Sequence, residues 1–232
     1  MKAAGASALV GCGGVTSVTR REDDGREDDA GVDPGDSCNL RPLQTEGPYF
    51  IDELLIRSDI RSDPTTGEVK EGVPLRLIFR VSELLGGACT PLVDAMVDLW
   101  QCDALGVYGD VLDGAGQFDT RGQLFLRGLQ ATDAAGVAEF LTIYPGWYTG
   151  RTVHLHFKIR TLFPESDFTS QLYFDDAVTD EVMLRAPYDT RGPRSTLNSQ
   201  DGIFLSGGSD LVLVAEPEGD GYVATFDVGV IR

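Results

Sequence analysis

Histidine and positive charge are both scarce in this chain. Two histidines occur in 232 residues, and 19 lysines and arginines face 37 aspartates and glutamates, for a formal net charge of -18. Such an excess repels nucleic acid and anionic membrane surfaces, so neither is expected as a partner and the ligand is expected to be small. No apolar run is long enough to span a bilayer. Internal repeats are absent, as are the several long amphipathic helices that a wound α/β fold would need. Cysteine is sparse too, at Cys12, Cys38, Cys89 and Cys102.

What remains suits one sizeable soluble domain. Hydrophobic residues make up 42% of the chain and aromatics 9%, enough to close a core at this length. The first 37 residues read differently. Leu9-Val10-Gly11-Cys12 resembles a bacterial lipoprotein cleavage box, in which Cys12 would carry a lipid anchor. The run from Arg21 to Asp29 is almost wholly charged and gives way to Gly, Pro and Ser up to Ser37. Such a stretch cannot bury anything, so residues 1–37 are expected to be a leader and acidic flexible tether, with an acidic docking tail as the alternative; the Cys12 box points to export, and a cytoplasmic location stays open. Residues 38–232 are expected to be the globular domain. In an oxidising compartment two of Cys38, Cys89 and Cys102 would staple the start of that domain to its core. In a reducing one all three would be buried thiols, and the sequence does not choose the pair.

From Cys38 onward a period of two dominates, broken by Gly, Pro and Asp. Strands are expected over Leu75–Val81, Leu92–Cys102, Arg127–Thr132, Val137–Tyr144, Val153–Arg160, Phe168–Phe174, Leu211–Glu216 and Tyr222–Val228. Asp133-Ala134-Ala135-Gly136 reads as a hairpin turn, as does Glu218-Gly219-Asp220-Gly221. One short helix is expected around Thr179–Leu184. The fold class is all-β, an antiparallel β-sandwich with long loops.

Both histidines sit in one strand, as His154-Leu155-His156. Alternation puts the two imidazoles on one face and Val153, Leu155, Phe157 and Ile159 on the other, which marks that other side as core. Paired imidazoles are natural metal ligands. Two turns present a tyrosine near a strand end: Gly106-Val107-Tyr108-Gly109 and Pro145-Gly146-Trp147-Tyr148. The bland reading of any one tyrosine is a half-buried amphipathic ring.

Four motifs taken in order make the chain resemble the intradiol ring-cleavage dioxygenases over about Cys38 to Asp201. They are Thr45-Glu46-Gly47-Pro48-Tyr49-Phe50, then Val97-Asp98-Leu99-Trp100 through Ala104-Leu105-Gly106-Val107-Tyr108, then Tyr144-Pro145-Gly146-Trp147-Tyr148, then Arg151-Thr152-Val153-His154-Leu155-His156. The resemblance implies one non-haem Fe(III) per chain, held by Tyr108, Tyr148, His154 and His156. It implies Arg151 and Gln171 beside the substrate, Pro48 and Tyr49 lining the ring pocket, with a core aromatic as the alternative reading of Tyr49, and displacement of Tyr148 when a diol binds. The implied reaction cleaves a catechol-type diol with O2 to a cis,cis-muconate-type diacid. Phenolate is a hard anionic oxygen ligand that suits ferric iron. Two phenolates and two neutral imidazoles leave one net positive charge to meet a catecholate.

Two other classes compete. A non-catalytic exported β-sandwich binding module would use the same residues structurally and be colourless and iron-free. A zinc or ferrous hydrolase built on the two histidines would need a third ligand, for which Asp103 and Asp110 are the near candidates. The long helical segment on which intracellular catechol dioxygenases dimerise has no counterpart before the β core, so that dimer is not expected.

Overall fold

A computed structural model describes residues 38–162 and 167–231. The expected leader, acidic tether and Cys12 lie outside the described residues. Among the described residues ten strands form two five-stranded sheets packed face to face. The first sheet is built on β1 (Pro74–Leu85), whose Leu75, Leu77, Phe79 and Val81 alternate into the core. One edge of β1 pairs along its length with β10 (Gly221–Ile231). The other edge is shared by β5 (Val137–Ile143) and β2 (Ala88–Pro91). The short edge strand β9 (Glu216–Glu218) closes this sheet beside β10.

The second sheet runs β4 (Arg127–Ala131), β3 (Met96–Trp100), β6 (His154–Arg160), β7 (Phe168–Phe174) and β8 (Val212–Leu213). The rings of Phe79 and Phe226 from one sheet and Phe157 from the other lie 5.2 to 6.2 Å apart between centroids, in tilted and edge-on contacts. Such pairs add about 1 kcal/mol each to area burial, so the centre of the sandwich is well cemented. Around it, Leu155 and Ile159 flank Phe157 on the inner face of β6, all fully buried.

The all-β sandwich agrees with the sequence expectation, with two refinements in pairing. β1 pairs with β10, and β7 with β8, in parallel, so both sheets are mixed. Asp133–Gly136 does form a tight turn, with the Gly136 amide donating to the Asp133 carbonyl. It does not join a hairpin, because β4 belongs to one sheet and β5 to the other. β5 aims Ala138 and Phe140 at the core from the first sheet, while β4 belongs to the second, so the turn carries the chain across the sandwich. The single strand expected over Leu211–Glu216 is split between β8 and β9 for the same reason. Pro217 sits in β9, an edge strand where its missing N–H costs nothing. The helix α1 (Asp176–Met183) starts earlier than expected because Asp175 caps it, accepting from the Ala177 and Val178 amides.

Cys38 is bonded to Cys89, which ties the first described residue to β2, and Cys102 is a free, buried thiol. The bond closes a loop of 51 residues in sequence. Loop-closure entropy on that scale stabilises by roughly 4 kcal/mol. Cys38→Ser or mild reduction should therefore lower the urea midpoint markedly, whereas Cys102→Ala should leave the response to reductant unchanged; equal behaviour of the two variants would contradict the pairing.

Candidate active site

The site begins as a row of side chains across the outer face of the second sheet. Cross-strand register sets Arg127 opposite Trp100, Trp100 opposite His156, and His156 opposite Gln171. Directly opposed residues share a face, so these four point the same way. Two residues along β6, His154 lies opposite Tyr173 on that face. The Trp100 and His156 rings stack with planes 9° apart and centroids 5.2 Å apart.

Three irregular segments cover this face. Gly47 lies directly over His156: at φ +75° a Cβ there would sit 2.9 Å from His156 Cε1, so only glycine fits. Beside it, Phe50 packs on Trp100 at 4.8 Å. The other two segments carry Tyr108 and Tyr148, each two residues after a glycine. A Cβ on Gly106 would fall 2.4 Å from the Trp147 carbonyl oxygen, and one on Gly146 would fall 2.3 Å from the Ala104 carbonyl oxygen. The two turns therefore pack backbone against backbone, which delivers both tyrosines to one place. Asp103 closes the first turn, its Oδ1 accepting from the Leu105 and Val107 amides.

Tyr108, Tyr148, His154 and His156 converge as a result. Ring centroids are 5.9 Å apart for the tyrosines, 4.8 Å for the histidines, and 6.2 Å for Tyr108 and His156. His154 donates from Nδ1 to the Thr152 carbonyl at 2.6 Å, which leaves Nε2 as the acceptor that meets the Tyr148 hydroxyl at 3.0 Å. Tyr108 is 0% exposed, and its hydroxyl has no hydrogen-bond partner, nor does Nδ1 of His156. Burial lowers the His154 pKa to about 3, helped by the Arg151 cation, and burial and His154 hold His156 well below the usual imidazole range. Burial also pushes both phenols up, with Tyr148 adding to the effect on Tyr108. Protein alone thus leaves all four groups neutral.

Arg151 reaches this cluster from the loop before β6. Its Nη1 lies 3.3 Å from His154 Nε2, and its Nη2 donates to Oε1 of Gln171. Gln171 is fixed in turn by the Tyr173 hydroxyl at 3.1 Å and by the Thr45 carbonyl at 2.8 Å. Sequence reasoning missed Asp201, which is 2% exposed and binds Arg151 Nε at 2.8 Å and the Thr152 amide at 2.9 Å. Burial opposes its charge, but the Thr152 amide and the guanidinium keep its pKa below the usual carboxylate range. Nothing in its local sequence marks it. Arg127 was missed as well: it is 4% exposed and donates to the carbonyls of Gly109 and Tyr49, holding two of the three covering segments to the sheet. Its signal is a lone cation in a strand, on the same face as the buried Leu129.

Tyr49 stacks on Tyr108 at 4.5 Å and donates to Asp113 at 2.8 Å. Together with Tyr148 it lines a cavity of about 500 Å³. Pro48 is exposed and lines a neighbouring cavity with Tyr49 and Asp110, away from Tyr148. Among the described residues no three His, Cys, Asp or Glu side chains are grouped to hold a metal ion. Asp103 is committed to its turn and Asp110 to the Gly122 amide, so neither supplies the third ligand of a hydrolase.

The electrostatics give a pH dependence. Unfolded histidine titrates near 6.5, and folded His154 stays neutral down to about 3. Below pH 6.5 the unfolded chain binds more protons than the folded one, so stability falls as pH falls. The metal-free protein should lose up to about 1.4 kcal/mol per pH unit per histidine between pH 6.5 and 5.5, and His154→Gln should remove part of the slope; a flat profile would contradict the buried neutral pair.

Comparisons with known proteins find relatives both in sequence family and in fold. The family described as dioxygenase matches residues 45–189. No curated protein matches significantly. Among solved structures, an intradiol ring-cleavage dioxygenase from Tetranychus urticae shares 28% identity with a TM-score of 0.73, over 84% of this chain and 95% of that one. The dioxygenase domain of a dioxygenase carbohydrate-binding protein fusion from Streptomyces sp. SirexAA-E shares 28% identity with a TM-score of 0.57, over 82% and 97%. In fold, 3-chlorocatechol 1,2-dioxygenase from Rhodococcus opacus is similar at 21% identity and a TM-score of 0.59, over 84% and 74%. With more than half its length matched, two turns that bring paired tyrosines over paired histidines, and these neighbours, the chain belongs to the intradiol ring-cleavage dioxygenase family.

Proposed function

We propose that this protein uses one Fe(III) per chain to cleave catechol-type aromatic diols with O2, breaking the bond between the two hydroxyl-bearing carbons to give a cis,cis-muconate-type diacid. The observation that carries the proposal is the buried Tyr108 hydroxyl with no partner, beside Tyr148 and two neutral imidazoles. A buried polar group left unpaired costs about 1–3 kcal/mol. A hard cation answers that cost, because it favours phenolate oxygen and offsets the charge that burial alone disfavours. Tyr108, Tyr148, His154 and His156 are the residues that would hold it. When bound, the ion would act as a Lewis acid that lowers the pKa of a coordinated diol and orients it.

The chain's own residues supply the rest. The Thr152 carbonyl fixes the His154 ring so that Nε2 faces the cluster. Tyr148 lies beside His154 and lines the cavity, where it would give way to a diol and, ionised once a metal ion is bound, would take up one of the diol's protons. Arg151 and Gln171 present donors where negative charge develops, and Asp201 keeps Arg151 aimed. Trp100 and Phe50 exclude water from the back of the histidines. A non-catalytic module gives no account of two buried phenols converging on two neutral imidazoles. The Cys38–Cys89 disulfide supports residence outside a reducing cytosol.

Iron-loaded protein should consume one O2 per catechol and form the ring-opened diacid. Arg151→Leu should lower kcat by about a hundredfold, the scale of losing one charge-stabilising donor, with little change in fold. Quinone formation, or no oxygen uptake by iron-loaded protein, would contradict the proposal.

A further inference from the structure

The cavity beside Tyr148 is larger than a bare catechol needs. At about 500 Å³ it has the scale of pockets that enclose drug-sized ligands, so a single ring leaves most of it empty. Besides the phenols of Tyr49 and Tyr148, its ionisable wall groups are Asp113 and Arg191. The two differ in what they offer a ligand. Asp113 has both oxygens turned to protein: Oδ1 accepts from the Tyr49 hydroxyl, and Oδ2 from the Ala115 and Gln117 amides at 3.0 and 3.1 Å.

Arg191 is held but not used up. Its Cζ lies 4.4 Å from the Trp147 ring centroid, and Nη1 alone donates to the carbonyls of Leu105 and Trp147. Its remaining N–H groups meet no protein acceptor, and it takes part in none of the ion pairs of the described residues. Carboxylates outnumber cations 37 to 19 in this chain, yet among the described residues none is paired with it. A guanidinium stacked on an indole loses little freedom when it binds an anion, and its fork suits a carboxylate.

We propose that Arg191 forms a subsite for an acidic substituent, so that the substrate is an aromatic diol bearing a short side chain that ends in a carboxylate. The inference rests on the ring site assigned above and extends it. Room for the chain comes from the cavity, and the anchor comes from the free donors of Arg191.

The test uses iron-loaded full-length protein and two diols of similar size, 3-(3,4-dihydroxyphenyl)propionate and 4-ethylcatechol. Binding of the monophenols 3-(4-hydroxyphenyl)propionate and 4-ethylphenol, followed by calorimetry, gives a readout independent of turnover. The wild type should favour the acid in kcat/KM and in affinity by roughly fivefold at low salt, and Arg191→Gln should abolish the preference. Because Arg191 also fastens two carbonyls near the tyrosines, Gln117→Glu serves as a second variant. That exposed side chain lines the same cavity and makes no hydrogen bond of its own to the protein, and the new charge should cut the acid preference severalfold. Equal handling of acid and neutral compounds by the wild type, or a preference that survives both variants, overturns the subsite. Turnover of neither diol overturns the ring-site reading and the subsite with it.

Discussion

The site depends on one strand being buried on both of its faces. On one side of β6, Leu155, Phe157 and Ile159 are locked into the sandwich, which fixes the register of His154 and His156 on the other. A slip of one residue would turn the imidazoles into the core and the aliphatic residues outward, at a cost of several kcal/mol. Because loops then cover the outer face, the imidazoles are desolvated as well as aligned. Desolvation keeps them neutral, and neutral imidazole is the form that can bind a cation. The packing that positions the histidines is thus also the source of their chemistry.

Covering a sheet with loops rather than helices raises a problem of backbone satisfaction, since a buried loop carries carbonyls that water cannot reach. Arginine solves it repeatedly here. Arg57 donates to the carbonyls of Ser62, Leu124 and Arg127, Arg127 to those of Gly109 and Tyr49, and Arg191 to those of Leu105 and Trp147. In a chain with so few cations, these residues act as fasteners between covering segments rather than as partners for surface acids. Exposed pairs such as Arg121 with Asp119 contribute little by comparison.

Period-two alternation made most strands legible, and His154-Leu155-His156 with its apolar alternates could be read directly as a two-faced strand. The glycines two before each tyrosine were also visible, although only the close packing of Gly106 on Trp147 and of Gly146 on Ala104 explains them. Pairing partners were not legible. Nothing in Asp133–Gly136 distinguishes a hairpin from a crossing between sheets, since both need the same turn chemistry. Asp201 lies fifty residues from the arginine it orients and was invisible for that reason. Pro48 shares a motif with Tyr49, but Tyr49 lines both cavities whereas Pro48 lines the neighbouring one, and composition does not show which.

The central claim is that two buried phenols become iron-bound phenolates, and it is tested most directly by the visible absorption of the iron-loaded protein under anaerobic conditions. Phenolate bound to ferric iron absorbs visible light, so the account predicts a broad band that shifts when catechol is added and weakens in Tyr108→Phe. Iron-loaded protein that stays colourless, or a band indifferent to Tyr108→Phe, would contradict it.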